Sequence, residues 1–181
     1  MERRIRQYSG LASAILAYYI VHEGAHFLYA LYKGVFKSIH FMGLGIQIDI
    51  FRERINDTEL GWFCLFGPLA TLFAGWLMVL YRKRICEIPS SIIRTCAWYI
   101  NIILLLLDPI YLSLLYRWVG GGDMNGIKNL MSESIAAGFA VAIVLVNAYC
   151  IWKYLYPAYT ESFAREAGKD KTHPDNHNLH Q

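Results

Sequence analysis

The sequence contains an HExxH motif, formed by His22, Glu23 and His26, within the otherwise apolar stretch from Leu11 to Tyr32. On a helix, residues four apart project from the same face, so the two imidazoles can bind one metal ion together. Glu23 lies beside the first histidine, where a carboxylate can act as general base toward water. Zinc suits this arrangement because it accepts imidazole ligands and keeps an open position in catalytic sites. The motif therefore predicts a zinc site with His22 and His26 as ligands and Glu23 as the base.

The apolar surroundings of the motif strengthen this interpretation. Ionisable residues inside a membrane span are costly and usually face a partner or water. The alternative is that His22, Glu23 and His26 are merely paired with one another in a helix bundle. That alternative has to account for three costly side chains without giving them a chemical role.

A catalytic zinc site of this type needs a third protein ligand, for which the sequence offers three candidates. Asp123 follows the glycines at 120–122, which allow the backbone to approach another element closely. Its alternative role is to cap the helix that follows. Asp108 precedes Pro109 within an apolar stretch, and His40 lies in a polar connection. The residue types alone leave the choice open.

Other charged and imidazole side chains help to narrow the choice of the third ligand. Arg94 and Arg117 flank the stretch that contains Asp108 and are potential charge partners for it, which favours Asp123 as the ligand. Three more histidines lie in the polar segment at the end of the sequence, where we interpret them as solvated: His173, His177 and His180.

The composition indicates a membrane protein. The chain has 181 residues, of which 56% are apolar and only 17% are charged, compared with roughly 25% charged residues in soluble domains. These values exclude a disordered chain and a nucleic-acid-binding domain with a basic surface. The net charge of +3 is too small to indicate a polyanionic partner. We therefore expect a lipid bilayer around the protein and no nucleic acid.

The apolar residues are concentrated in long blocks. A helix needs about 20 apolar residues to cross the hydrocarbon core, and four blocks meet that length: Leu11 to Tyr32, Leu60 to Tyr81, Ile92 to Trp118, and Ser134 to Leu155. The third is expected to be kinked or broken at Pro109. Between the first two, Ser38 to Phe51 is rich in β-branched and aromatic residues and predicts a short β-hairpin. The fold class is thus an all-α polytopic membrane protein of about four transmembrane helices with one hairpin.

Basic residues predict the orientation in the membrane. They precede the first block, follow the second, and lie at or after the end of the fourth: Arg3, Arg4, Arg6, Arg82, Lys83, Arg84, Lys153, Arg165, Lys169 and Lys171. In a four-span arrangement all of them fall on one side, which is cytoplasmic by the positive-inside rule. Both termini are therefore predicted to be cytoplasmic. Residues 1–160 are expected to form one membrane-embedded domain, and residues 161–181 a polar, disordered tail.

Several motifs occur in an order that resembles the site-2 protease family of intramembrane zinc metalloproteases. The HExxH helix is followed by the β-rich connection, then by Gly67-Pro68-Leu69-Ala70-Thr71, and finally by Asn101, Pro109 and Asp123. The resemblance covers about residues 10 to 135. It implies that His22, His26 and Asp123 bind zinc and that Glu23 is the catalytic base.

The resemblance also implies an activity. A member of this family is a zinc-dependent endopeptidase that cleaves a membrane-spanning or membrane-adjacent segment of a membrane protein substrate. Two departures from the family pattern suggest an alternative, a catalytically inactive zinc-binding or partner-binding membrane protein on the same scaffold. Thr71 stands where the family often has Asn, and Met124 follows Asp123 where the family has Gly.

Overall fold

The chain is mostly helical, with one two-stranded antiparallel sheet. The computed structural model describes residues 2–42, 45–120 and 122–172. Its helices are α1 (Glu2–Tyr32), α2 (Asp57–Leu80), α3 (Arg82–Cys86), α4 (Ser91–Ile110), α5 (Gly122–Ile127), α6 (Glu133–Cys150) and α7 (Tyr156–Thr172). The strands are β1 (Phe36–Met42) and β2 (Gly45–Ile50). Two π-helical segments, Tyr111–Leu115 and Ile151–Leu155, continue α4 and α6. The predicted helical fold with a hairpin is confirmed.

Three helical segments are long and apolar enough to cross a membrane by length and composition: Asp57–Leu80, Ser91–Leu115 and Glu133–Arg165. They correspond to the second, third and fourth predicted spans. The first predicted span lies in α1, which has sufficient length but is not among the three. Its many tyrosines and ionisable side chains, including His22, Glu23 and His26, make α1 less apolar than the other three. A fourth span therefore stays a prediction.

The third span does not break at Pro109. Helix α4 passes through this proline and changes to π-helical bonding at Tyr111. The backbone N–H of Tyr116 donates to the carbonyl of Tyr111 at 2.9 Å, which is the longer-range bond that defines a π turn. A proline removes one helical donor and crowds the preceding turn. The carbonyl of Leu105, four residues before the proline, accepts instead from the side chain of Asn147 at 2.6 Å.

The hairpin is joined tightly to the end of α1. Gly34 has φ +69°, and the N–H of Val35 donates to the carbonyl of Ala30 at 2.9 Å. This left-handed glycine stops the helix and turns the chain. The N–H of Phe51 then donates to the carbonyl of Val35 at 2.8 Å, which closes the base of the hairpin. The predicted hairpin is confirmed, and α1 determines where it lies.

Contacts between side chains define the helix directions. Ser13 lies 3.4 Å from the Sγ of Cys96, and Tyr18 further along α1 bonds Asp108 further along α4. The two helices are therefore parallel. Helix α2 packs against both of them and runs the opposite way, because Phe63 near its start lies beside His26 near the end of α1.

Helix α6 is antiparallel to α4 and returns the chain to the end where α1 begins. Asn147 near its end donates to the carbonyl of Leu105 at 2.6 Å, and Ala136 near its start packs in one cluster with Leu112. Helix α7 then packs against α3. The up-down-up-down arrangement brings the start of α1, the basic helix α3 and the start of α7 to one end of the bundle.

Helix α7 extends through Glu161, where a disordered tail was predicted to begin, and continues to Thr172. Ser162 is buried and donates to the carbonyl of Cys86 at 3.1 Å. Tyr159 is buried edge-on against Trp98. These inward-facing side chains secure the helix, and the domain boundary at residue 160 stays a prediction. The three histidines of the predicted tail, His173, His177 and His180, lie outside the described residues.

Candidate metal centre

The structure brings together three of the side chains predicted to bind metal. His22 and His26 lie one turn apart on α1, and Asp123 lies in the first turn of α5. The two Nε2 atoms are 3.2 Å apart. The Asp123 carboxylate straddles them, with Oδ2 3.1 Å from Nε2 of His22 and Oδ1 3.4 Å from Nε2 of His26.

These three residues could hold a metal ion. Each offers one ligand atom, and the three atoms lie within 4.8 Å of one another. Ligand atoms bound at about 2.0–2.1 Å in a tetrahedral arrangement lie about 3.3 Å from one another. The distance between the two Nε2 atoms, and the distance from each Nε2 atom to the nearer oxygen of Asp123, are close to that value. His22 and His26 are buried, whereas the Asp123 side chain is 17% exposed, so one side of the group is open.

The other ring nitrogen of each histidine is held by a hydrogen bond. Nδ1 of His26 donates to the backbone carbonyl of Phe63 at 2.8 Å. A carbonyl can only accept, so Nδ1 carries the proton and Nε2 presents its lone pair. Nδ1 of His22 lies 3.1 Å from Oδ2 of Asp108. Both Nε2 atoms are therefore directed toward Asp123.

Asp108 faces the far side of His22 and has no oxygen among the three grouped ligand atoms. Its Oδ1 accepts a hydrogen bond from the Tyr18 hydroxyl at 2.6 Å, and Thr71 donates to its Oδ2. The expected partner Arg117 instead contacts Tyr116 and Glu133. The other one, Arg94, donates to the carbonyls of Ile88 and Pro89 at the start of α4. Hydroxyls and an imidazole, rather than the predicted arginines, bond this carboxylate.

Asp123 is placed by close packing between α5 and α2. A Cβ added to Gly126 would lie 2.3 Å from Sγ of Cys64 and 3.0 Å from the carbonyl oxygen of Leu60. Only glycine fits this contact. Burial raises the pKa of Asp123, but the two histidines beside it outweigh burial and lower the pKa to about 2. The side chain is therefore a carboxylate, as a metal ligand must be.

The start of the motif Gly67-Pro68 lies directly against the two histidines. A Cβ added to Gly67 would lie 2.5 Å from Nε2 of His26 and 2.8 Å from Nε2 of His22. Real Cβ contacts are almost never this short. The absence of a side chain at Gly67 thus leaves space for the imidazoles.

Glu23 lies next to the ligands without being one of them. Its side chain is half-buried, and the backbone of Ile48 in β2 lies near its carboxylate. The hairpin thus borders the predicted base. His40, the remaining ligand candidate, is an exposed residue of β1 with Nε2 3.3 Å from Oδ2 of Asp49. It does not belong to the metal group.

The sequence analysis missed several residues that shape this centre. Tyr18, four residues before His22, lies on the same helix face as the motif, and this spacing could have revealed it. The carbonyl of Phe63 leaves no sequence signal, because every residue has one. A cavity of about 180 Å³ abuts Asp108 and Pro109, but it is lined by none of the three grouped ligands.

No family model, curated protein or solved structure matches this chain. The geometry of the centre and the chemistry of its side chains are therefore the basis for assigning a function.

Proposed function

We propose that the protein is a zinc-dependent intramembrane endopeptidase. The observation that supports this most directly is the convergence of His22, His26 and Asp123 beside Glu23. Two imidazole nitrogens and one carboxylate oxygen form the three-ligand set typical of catalytic zinc, which leaves one position open. Bound zinc supplies a Lewis acid at this point.

Glu23 is proposed to act as the general base. Its position in the sequence, one residue after the ligand His22, places its side chain about 100° around the helix from that ligand. It can therefore take a proton from water without binding the ion itself. The backbone of Ile48 lies near its carboxylate, so the hairpin borders the proposed base.

The substrate is proposed to be a segment of another membrane protein. His22 lies about ten residues before the end of α1, and hence about 15 Å inside the bundle from the hairpin end. A peptide that reaches this depth must be unwound from a helix before its backbone can be attacked. The hairpin lies beside Glu23, and the edge of a small sheet can bind an extended segment by strand addition.

The orientation proposed from the basic residues is consistent with the helix directions. The start of α1, helix α3 and the start of α7 lie at one end of the bundle, and by the positive-inside rule this end is cytoplasmic. A reporter enzyme that is active only in the cytoplasm should therefore be active when it is fused to the C-terminus. Activity of a C-terminal reporter enzyme that functions only on the opposite side of the membrane would contradict this orientation.

Glu23→Gln tests the activity directly. The variant keeps its size but loses its basicity, so it should bind zinc like the parent and lose roughly 10²–10⁴-fold in cleavage rate. Purified parent and variant would be compared for zinc content and for cleavage of a panel of membrane-helix substrates. Glu53→Gln, at an exposed position between β2 and α2, is the matched control. Parental cleavage by Glu23→Gln would refute the mechanism.

The alternative function, an inactive metal-binding protein, gives a different result in the same experiment. The parent would then contain zinc but cleave no substrate of the panel. Thr71 bonds Asp108, and Gly126 provides the close contact with α2 that positions Asp123, so both departures from the family pattern are compatible with a metal centre.

A further inference from the structure

We propose that Asp108 is a positioning residue for the metal centre, which holds the His22 imidazole in the tautomer and orientation that a metal ligand requires. This inference depends on the proposed metal site and assigns a role to a carboxylate on a different helix. Asp108 lies on α4, whereas the ligands lie on α1 and α5.

The hydrogen bonds around Asp108 leave its carboxylate little freedom to move. The residue is 1% exposed. Its Oδ1 accepts from the Tyr18 hydroxyl at 2.6 Å, and its Oδ2 accepts from both Nδ1 of His22 and the hydroxyl of Thr71. Donors from α1 and α2 therefore hold a carboxylate of α4 in place.

A carboxylate at this point determines the form of the imidazole. A neutral histidine carries one N–H, and the bond to Asp108 keeps it on Nδ1 of His22. Nε2 then presents a lone pair, 3.2 Å from Nε2 of His26 and 3.1 Å from the Asp123 carboxylate. A carboxylate partner also makes an imidazole a more basic ligand than a neutral partner does.

The two histidines differ in this respect. His26 is held by the backbone carbonyl of Phe63, which is neutral and cannot be removed by substitution. His22 is held by a side chain, at the cost of burying a carboxylate within a predicted membrane span. An apolar residue at position 108 would avoid this desolvation cost. The presence of a carboxylate there therefore indicates a role in holding His22.

Substitution of Asp108 tests this role through metal binding alone. Cobalt would be bound to the purified full-length chain, its visible absorption spectrum recorded, and zinc affinity measured by competition with a chromophoric chelator. Asp108→Ala should lower the affinity about 10–100-fold and change the cobalt spectrum. Asp108→Asn should lose less, because its amide oxygen can still accept from Nδ1 of His22. Ser113→Ala, just beyond α4 and outside this network, should behave like the parent.

Thr71→Val and Tyr18→Phe provide a second test that keeps Asp108 itself. Each removes one donor to the carboxylate, so each should cause a smaller loss of zinc affinity than Asp108→Ala. If the Asp108 variants fail to fold, Thr71→Val and Tyr18→Phe test the positioning role in their place. The proposal would then be overturned if both of these variants bound zinc with the affinity of the parent.

The remaining outcomes separate this proposal from the proposed function. If the parent binds cobalt and folded Asp108 variants bind it with equal affinity and an unchanged spectrum, Asp108 is only structural and the inference is wrong. A lower Tm alone would not rescue it. If the parent binds neither cobalt nor zinc, the metal centre and the proposed protease activity are refuted together. A loss of zinc affinity that is largest for Asp108→Ala and smaller for Asp108→Asn, Thr71→Val and Tyr18→Phe would support the positioning role even if no substrate were cleaved.

Discussion

Gly67→Ala is the substitution that most directly tests the packing of α2 on the metal centre. The added methyl group would lie 2.5 Å from Nε2 of His26 and 2.8 Å from Nε2 of His22. Ordinary contacts begin at 3.4 Å, so the imidazoles or the backbone of α2 must move by about 0.9 Å.

This displacement is large compared with what a metal site tolerates. Metal–ligand distances are held to about ±0.2 Å, so a shift of this size disrupts at least one bond. We expect zinc affinity to fall by at least 10–100-fold, which is the range for losing a group that merely orients a ligand. Overpacking should also destabilise the metal-free protein by about 1–3 kcal/mol.

Gly24→Ala is the matched control, since it introduces the same methyl group one residue after Glu23. A Cβ at Gly24 meets nothing within 4 Å. This variant should bind zinc like the parent and gain up to about 1 kcal/mol in stability from the better helix propensity of alanine. Zinc affinity by chelator competition and thermal unfolding in detergent would be measured for both variants. Equal zinc affinity of the parent and Gly67→Ala would show that Gly67 does not contact the histidines and would refute the described geometry.

Three further predictions concern positions away from the histidines. Gly126→Ala should lower zinc affinity by separating α5 from Cys64, and a variant that binds zinc normally would contradict this account of how α5 is placed. Asn101→Leu should raise the Tm, because both polar atoms of the buried Asn101 side chain lack a partner among the described residues. Burying unpaired polar atoms destabilises a fold by about 1–3 kcal/mol, so a lower Tm of the variant would contradict this reasoning. Ser162→Ala should cost about 0.5–1.5 kcal/mol through loss of the bond to Cys86, and an unchanged Tm would show that α7 does not pack as described.

Much of the fold could be predicted from local patterns. Apolar blocks of sufficient length predicted three of the helical segments, since length and hydropathy are properties of contiguous residues. The hairpin was predicted from β-forming residues around glycines. This prediction was correct because its signal, too, lies in contiguous residues. The helical extension to Thr172 was missed, because its stability comes from contacts such as that of Ser162 with Cys86, which are distant in sequence.

The candidate site divides in the same way. The i, i+4 spacing of His22 and His26 determined by itself that both imidazoles share a helix face, because helix geometry requires it. The roles of Asp108 and Asp123 could not be assigned from residue types, since both are acidic residues near helix ends. The tertiary structure determined which ring nitrogen each carboxylate faces: glycine contacts bring α5 against α2 and turn Asp123 toward the Nε2 atoms, while the parallel packing of α1 and α4 places Asp108 behind His22 at Nδ1. Which ring nitrogen a carboxylate faces depends on the relative positions of whole helices, and local sequence does not encode those positions.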